Sequence, residues 1–185
     1  MPRAALTQEK IVQACIELSK EQGLEKVSFP RLAEYFSIKA PSLYNHFKNM
    51  GEVRLATAIQ LQKELNQELT RAMIGKKPIA ALETYALTYK SFAEKYSEVY
   101  DLLNIIHESD SPELEEIAIE NIRLIRVTLE NFKLTDEEIY HRSRLFRSSL
   151  HGFITLSRLG YFQKAYPAED SFDYMLKQLL GDLGE

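Results

Sequence analysis

The 185-residue sequence contains no tryptophan and one cysteine, Cys15. A single cysteine excludes an internal disulfide and fits a reducing compartment. Cys15 falls on the Ile11, Ala14, Cys15, Leu18 stripe of the first periodic segment, so burial is its expected role. No apolar run approaches the roughly 20 residues that a bilayer span needs, and no basic, apolar and small-residue pattern marks a cleaved signal. A cytoplasmic protein with no membrane partner is the simplest expectation. Catalytic signatures are missing as well: there is no glycine-rich phosphate loop, no His-Glu-x-x-His and no cysteine pair for zinc. The four histidines are scattered, and Asp136-Glu137-Glu138 near His141 reads as a charged helix start rather than a metal site. No enzyme, cofactor or metal is therefore expected.

Charge is unevenly spread. The chain carries a net −4, yet residues 1–54 hold eight Lys or Arg against six acids. That segment is +2 and the remainder −6, so a modestly basic region stands on an acidic body. Such an arrangement suits specific nucleic-acid binding with limited non-specific attraction.

Strand signals are nearly absent, and apolar periodicity near 3.6 persists almost throughout. The reading is all-α, with about nine helices and short linkers. Thr7 is placed to cap a first helix that Gly23 ends, and Ser28 to cap a second with Pro30 in its first turn. A long helix is expected from about residue 51 to 74, broken by Gly75-Lys76-Lys77-Pro78. A fifth follows from Ile79 to about Lys95, a short one from Tyr100 to Ile106, and another from Pro112 to about Phe132. Thr135 and Glu138 have the spacing of a capping box, opening a helix to about Tyr161 or Phe162. A last helix lies between Pro167 and Gly181. Two domains are expected: residues 1–50, and residues 51–185.

The most informative stretch is 32–48. Leu32, Ala33 and Phe36 recur at helical spacing, as do Leu43 and Phe47, so two short helices each keep one buried stripe across a tight turn. Pro41 stands in the first turn of the second helix, where its missing N–H costs nothing. Lys39, Ser42, Tyr44, Asn45, His46 and Lys48 fall largely away from the stripe. This is the layout of a helix-turn-helix, whose second helix enters the major groove of double-stranded DNA. Tyr44 suits contact with sugar, phosphate or a thymine methyl, and the small Ala40 and Pro41 allow close approach to base edges. Lys39, Ser42, His46 and Lys48 are phosphate candidates, with Lys26 and Arg31 gripping flanking backbone.

Ile38-x-x-Pro41-Ser42-Leu43-Tyr44-x-His46-Phe47-Lys48-Asn49 resembles the signature of TetR-type one-component transcriptional regulators. The segment from Thr7 to Gly23, the link to Ser28 and Leu32-Ala33 match the same pattern in order and spacing. The resemblance implies an N-terminal three-helix DNA-binding domain and a C-terminal helical domain that dimerises and binds a small-molecule effector. It further implies a homodimeric repressor on a pseudo-palindromic operator, released by that effector. Two departures stand out: Ser37 replaces a common turn glycine, and Met50 replaces a phosphate-binding lysine. They keep open a different class of function, a helical sensor or adaptor that has lost operator binding.

Within the body, residues 147–156 resemble an effector-domain variety marked by Trp-His-Gly, with Leu150 in place of the tryptophan. Residues 96–103 resemble its short middle helix. Ser148, Ser149, Gly152 and Thr155 form a small-residue stripe suited to close approach by a second copy, with Met175 and Leu179 of the last helix completing the seam. Tyr89, Phe92, Tyr96, Tyr100, Leu103, His107, Phe146 and His151 are candidates to line an effector cavity, their alternative role being ordinary core.

Overall fold

Among the described residues, seven α-helices follow one another along the chain: α1 (Gln8–Gln22), α2 (Phe29–Phe36), α3 (Met50–Met73), α4 (Pro78–Lys95), α5 (Pro112–Leu129), α6 (Asp136–Arg158) and α7 (Ala168–Gly181). Tighter 3-10 segments cover Leu24–Lys26, Ala40–Asn45 and Tyr100–Glu108. The structure, a computed structural model, describes residues 5–108, 110–162 and 166–183, without the side chains of residues 106–108. No strand occurs among the described residues, as the periodicity predicts. Contacts divide the chain into two compact units. One comprises Met1–Glu64 with Tyr96–Ile117, the other Leu65–Lys95 with Ala118–Glu185.

The first unit sets α1, α2, the 3-10 segments and the opening turns of α3 around a small core of Ile11, Cys15, Leu32, Leu43, Phe47 and Val53, all buried. Thr7 caps α1, its hydroxyl accepting the Lys10 N–H at 3.3 Å, and Gly23 ends the helix with φ +86°. Ser28 occupies the cap position of α2 in extended backbone, but its side chain makes no capping bond. Pro30 is accommodated in that first turn, as expected. At the end of α2, Ser37 takes up the left-handed conformation, φ 52° and ψ 46°. Its N–H bonds the Glu34 carbonyl at 2.9 Å and the Ile38 N–H bonds Ala33 at 2.9 Å, closing the turn.

The second unit packs longer helices. Tyr85 is wholly buried, its hydroxyl donating to Asn121 Oδ1, its ring stacked on Tyr89 at 6.1 Å and tilted against Phe146 at 5.8 Å. Burial, then the neighbouring Tyr89, pushes the Tyr85 phenol well above its ordinary value. Lys90 bridges Glu94 and Glu169, 2.8 Å from each, over the Phe172 ring. Its burial pulls the ammonium pKa down, but the bonds to Glu169 and Glu94 outweigh this and leave it raised. Thr135 and Glu138 form the expected capping box. The hydrogen bonds from Thr135 hold the Glu138 carboxyl below its usual value.

Helix α6 stops at Arg158, short of the aromatic pair 161–162. Gly160 has φ +78°, and the Tyr161 N–H returns to the Leu156 carbonyl at 3.0 Å, a glycine-terminated helix end. Helix α5 likewise ends at Leu129, three residues early, where the Asn131 side chain caps the Val127 and Thr128 carbonyls at 3.1 and 3.2 Å.

Candidate nucleic-acid interface

The segment expected to be the reading helix is Ala40–Asn45, and it is 3-10 rather than α. Six residues beginning with Ala-Pro have few donors for an i to i−4 ladder, and the tighter i to i−3 pattern closes instead. The Ser42 N–H bonds Lys39 O at 2.9 Å and the His46 N–H bonds Leu43 O at 2.9 Å. Pro41 sits in the first turn, as predicted. Leu43 and Phe47 are buried and anchor the segment to the core, which turns Tyr44 outward with 59% of its surface exposed. The Tyr44 and Phe29 rings meet edge to face, centroids 4.7 Å apart and planes at 83°. The phenol tip is thus free for contact while the ring is aimed from beneath.

Lys39, Pro41, Asn45 and Lys48 are exposed; Ala40, Ser42 and His46 are half-buried. All lie within one short stretch of the first unit. Lys26 and Arg31 stand on other elements of that unit, both exposed. The cations differ in their company. Lys26 and Lys39 make no ion pair among the described residues. Arg31 pairs with Glu34 at 3.1 Å, and Lys48 lies 3.8 Å from Glu52. These pairs are exposed, so each is worth at most about 1 kcal/mol. They are weak enough for a phosphate to displace.

Several polar residues outside the expected set shape this region. Glu52 accepts the Lys48 N–H at 2.7 Å, while Asn49 Oδ1 accepts the Glu52 N–H at 3.0 Å, together capping α3. The Asn-x-x-Glu spacing was a visible signal for that cap. Gln8 Nε2 donates to the His46 carbonyl at 2.7 Å, across 38 residues of sequence, and nothing local announces it. The Tyr35 hydroxyl bonds Glu17, tying α2 to α1. That bond, with a second from Gln13, draws the Glu17 carboxyl below its ordinary pKa.

The residues proposed for an effector cavity do not fall in one unit. Tyr96, Tyr100 and Leu103 are buried in the first. There the Tyr96 hydroxyl bonds Glu64, and Gln62 Nε2 bonds the Leu103 carbonyl at 3.1 Å. Tyr89, Phe92, Phe146 and His151 belong to the second unit, with Phe92 and Phe146 buried, Tyr89 half-buried, and His151 half-buried 3.5 Å from Thr155 Oγ1. The side chain of His107 lies outside the described residues. A small cavity in the second unit is walled by residues including Leu82, Ile125, Arg142, Phe146 and Leu179.

On α6, Ser148 is exposed, and Ser149, Gly152 and Thr155 are half-buried. Leu145, Leu156 and Leu159 are exposed beside them, Leu159 to 67%. Leu145, Gly152 and Leu156 recur at i, i+7 and i+11 along one face of α6, and Leu159, the cap residue after its last turn, follows them. Met175 and Leu179 of α7 are half-buried, and Tyr174 is exposed.

Residues 11–57 match the profile of bacterial regulatory proteins, tetR family, and residues 82–179 match the tetracyclin repressor-like C-terminal domain. The Bacillus subtilis (strain 168) protein named uncharacterized HTH-type transcriptional regulator YobS is 26% identical over 184 residues, 98% of this chain and 95% of YobS. Among solved structures, a protein of unknown function from Rhodococcus sp. RHA1 superposes with a TM-score of 0.85 at 15% identity. That match covers 100% of this chain and 98% of the other. The TetR family transcriptional regulator PfmR from Thermus thermophilus gives 0.69 at 20% identity, over 93% and 97% of the two chains. At these identities the structural likenesses speak for the fold.

Proposed function

The chain belongs to the TetR family of DNA-binding transcriptional regulators, and from that premise we propose that it is a homodimeric repressor released from its operator by a small-molecule effector. Residues 1–50 read DNA, and residues 51–185 dimerise and sense. The observation that carries the reading is Tyr44 turned outward between buried Leu43 and Phe47, flanked by Lys39 and Lys48 on an otherwise acidic chain. Tyr44, Ala40 and Pro41 meet sugar and base edges; Lys26, Arg31, Lys39, Ser42, His46 and Lys48 hold phosphates.

Ser37 adopts the left-handed turn that its position requires, so the absent glycine is no bar to a helix-turn-helix. The exposed apolar seam of α6, with Tyr174 exposed on α7, supports a two-fold dimer in which both protomers meet through the same patch. Two headpieces then address two half-sites of a pseudo-palindrome. The effector acts by binding one arrangement of the dimer more tightly than the other, since equal binding shifts nothing. Within the second unit, Tyr89, Phe92, Phe146 and His151 are the candidates to meet it. Among the described residues no helix is long and apolar enough to cross a membrane, in keeping with action on DNA in the cytoplasm.

The test is binding to duplex DNA from the region upstream of the protein's own gene, with Tyr44→Ala and Lys48→Ala alongside. A repressor loses affinity in both variants, and Lys48→Ala lowers the salt slope by about one. A sensor or adaptor without operator binding shows no selective binding in any of the three proteins.

A further inference from the structure

We infer that Gln8, at the first turn of α1, is a positioning residue for sequence reading, holding the end of the recognition segment through its bond to the His46 carbonyl. The inference rests on the DNA-binding reading above. The recognition segment is too short to fix itself. Its backbone closes through 3-10 bonds with one longer turn at its end, where the Leu43 carbonyl takes both the His46 N–H at 2.9 Å and the Phe47 N–H at 3.1 Å, and a six-residue segment of this kind has poorer hydrogen-bond geometry than an α-helix. Its orientation is therefore set from outside. Leu43 and Phe47 anchor the inner face, and Phe29 supports the Tyr44 ring at 4.7 Å. On the downstream side, Glu52 and Asn49 fasten residues 48–49 to the start of α3.

What remains is the carbonyl at the end of the segment, on His46, where a helix leaves acceptors without intrahelical donors. Gln8 Nε2 meets that carbonyl at 2.7 Å, the one side-chain bond in the first unit running from α1 to the reading stretch among the described residues. Gln8 is itself exposed, so removing its amide opens no hole in the core. Its bond controls the pitch and placement of Tyr44 and Ala40, the groups closest to base edges, while carrying no charge. Losing it therefore weakens base readout, while Lys26, Arg31 and Lys48, which other elements hold, keep their places for phosphate.

The experiment compares Gln8→Met, which keeps the length and removes the donor, and Gln8→Ala with the unchanged protein. Binding is measured to the upstream duplex and to a scrambled duplex of the same length and composition, at two salt concentrations. The expected result is a loss of about tenfold on the upstream duplex, the scale of one good base-edge contact. Affinity for scrambled DNA, the salt slope and the thermal unfolding midpoint stay in place. Equal losses on both duplexes would make Gln8 a backbone contact and overturn the inference, as would unchanged selectivity. If the unchanged protein itself fails to prefer the upstream duplex, the DNA-binding reading falls first and takes this inference with it. A lowered unfolding midpoint with a proportionate loss on both duplexes would assign Gln8 to stability alone.

Discussion

The two units hold their helices by different means. The first sets short pieces beside the opening turns of α3 and fastens them by polar side chains to backbone groups: Thr7 on Lys10, Gln8 on His46, Asn49 and Glu52 around the start of α3. The second rests on long helices around a buried aromatic group of Tyr85, Phe92, Phe146 and Phe172, and leaves an apolar seam uncovered on α6. A part that reads DNA needs a few groups placed to within a fraction of an ångström, which directional bonds provide. A part that pairs with its own copy needs area and shape, which apolar faces provide. Substitutions should accordingly fail in different ways in the two units.

The largest effect is expected on the seam. Leu156→Glu places a charge where the account puts a dry helix contact, and an unpaired buried charge costs several kcal/mol. The account predicts a dimer for the parent by light scattering and a monomer for the variant at the same concentration. Its fold should survive, because Leu156 is exposed within the protomer. Next comes Tyr44→Ala, with a loss of at least about tenfold in operator affinity on the scale of one base-edge contact. Urea unfolding should show only about 0.5–1.5 kcal/mol lost, the worth of the edge contact with Phe29.

Lys39→Ala sharpens the comparison within the first unit. It should weaken upstream and scrambled DNA alike and lower the salt slope by about one. Arg31→Ala should cost less than Lys39→Ala, because Arg31 already has Glu34 at 3.1 Å and must give that pair up to meet a phosphate. The smallest effect is expected at the turn. Ser37→Gly relieves a left-handed serine and should raise unfolding stability by about 0.5 kcal/mol, part of the penalty being returned as chain entropy. DNA affinity should not change.

Periodicity and punctuation made most of the fold legible. Thr7, Gly23, Pro41, the Gly75–Pro78 break and the Thr135–Glu138 box all act locally, so their consequences can be read within four residues. The helix type at Ala40–Asn45 was not legible in that way. Apolar residues at i and i+4 are compatible with either helix, and the shortness of the segment decides for 3-10. The end of α6 was missed for another reason: Gly160 carried the stop signal, but the aromatic pair just beyond it suggested continuation.

The reading face divides along the same line. Tyr44 stood out because Leu43 and Phe47 fill the inward face and leave it nowhere to go but outward. Gln8 was invisible because its partner lies 38 residues away and the bond depends on how three elements pack. The same holds for the pairing of Arg31 with Glu34, which is a matter of rotamers, whereas the i, i+3 spacing only permits it.

The most direct test of the central claim is the affinity of the purified protein for the duplex upstream of its own gene, measured against scrambled competitor at physiological salt. The account predicts saturable binding that scrambled DNA displaces poorly, with two protomers on each bound duplex or a multiple of two. Equal displacement by scrambled DNA, or no binding at all, would contradict it.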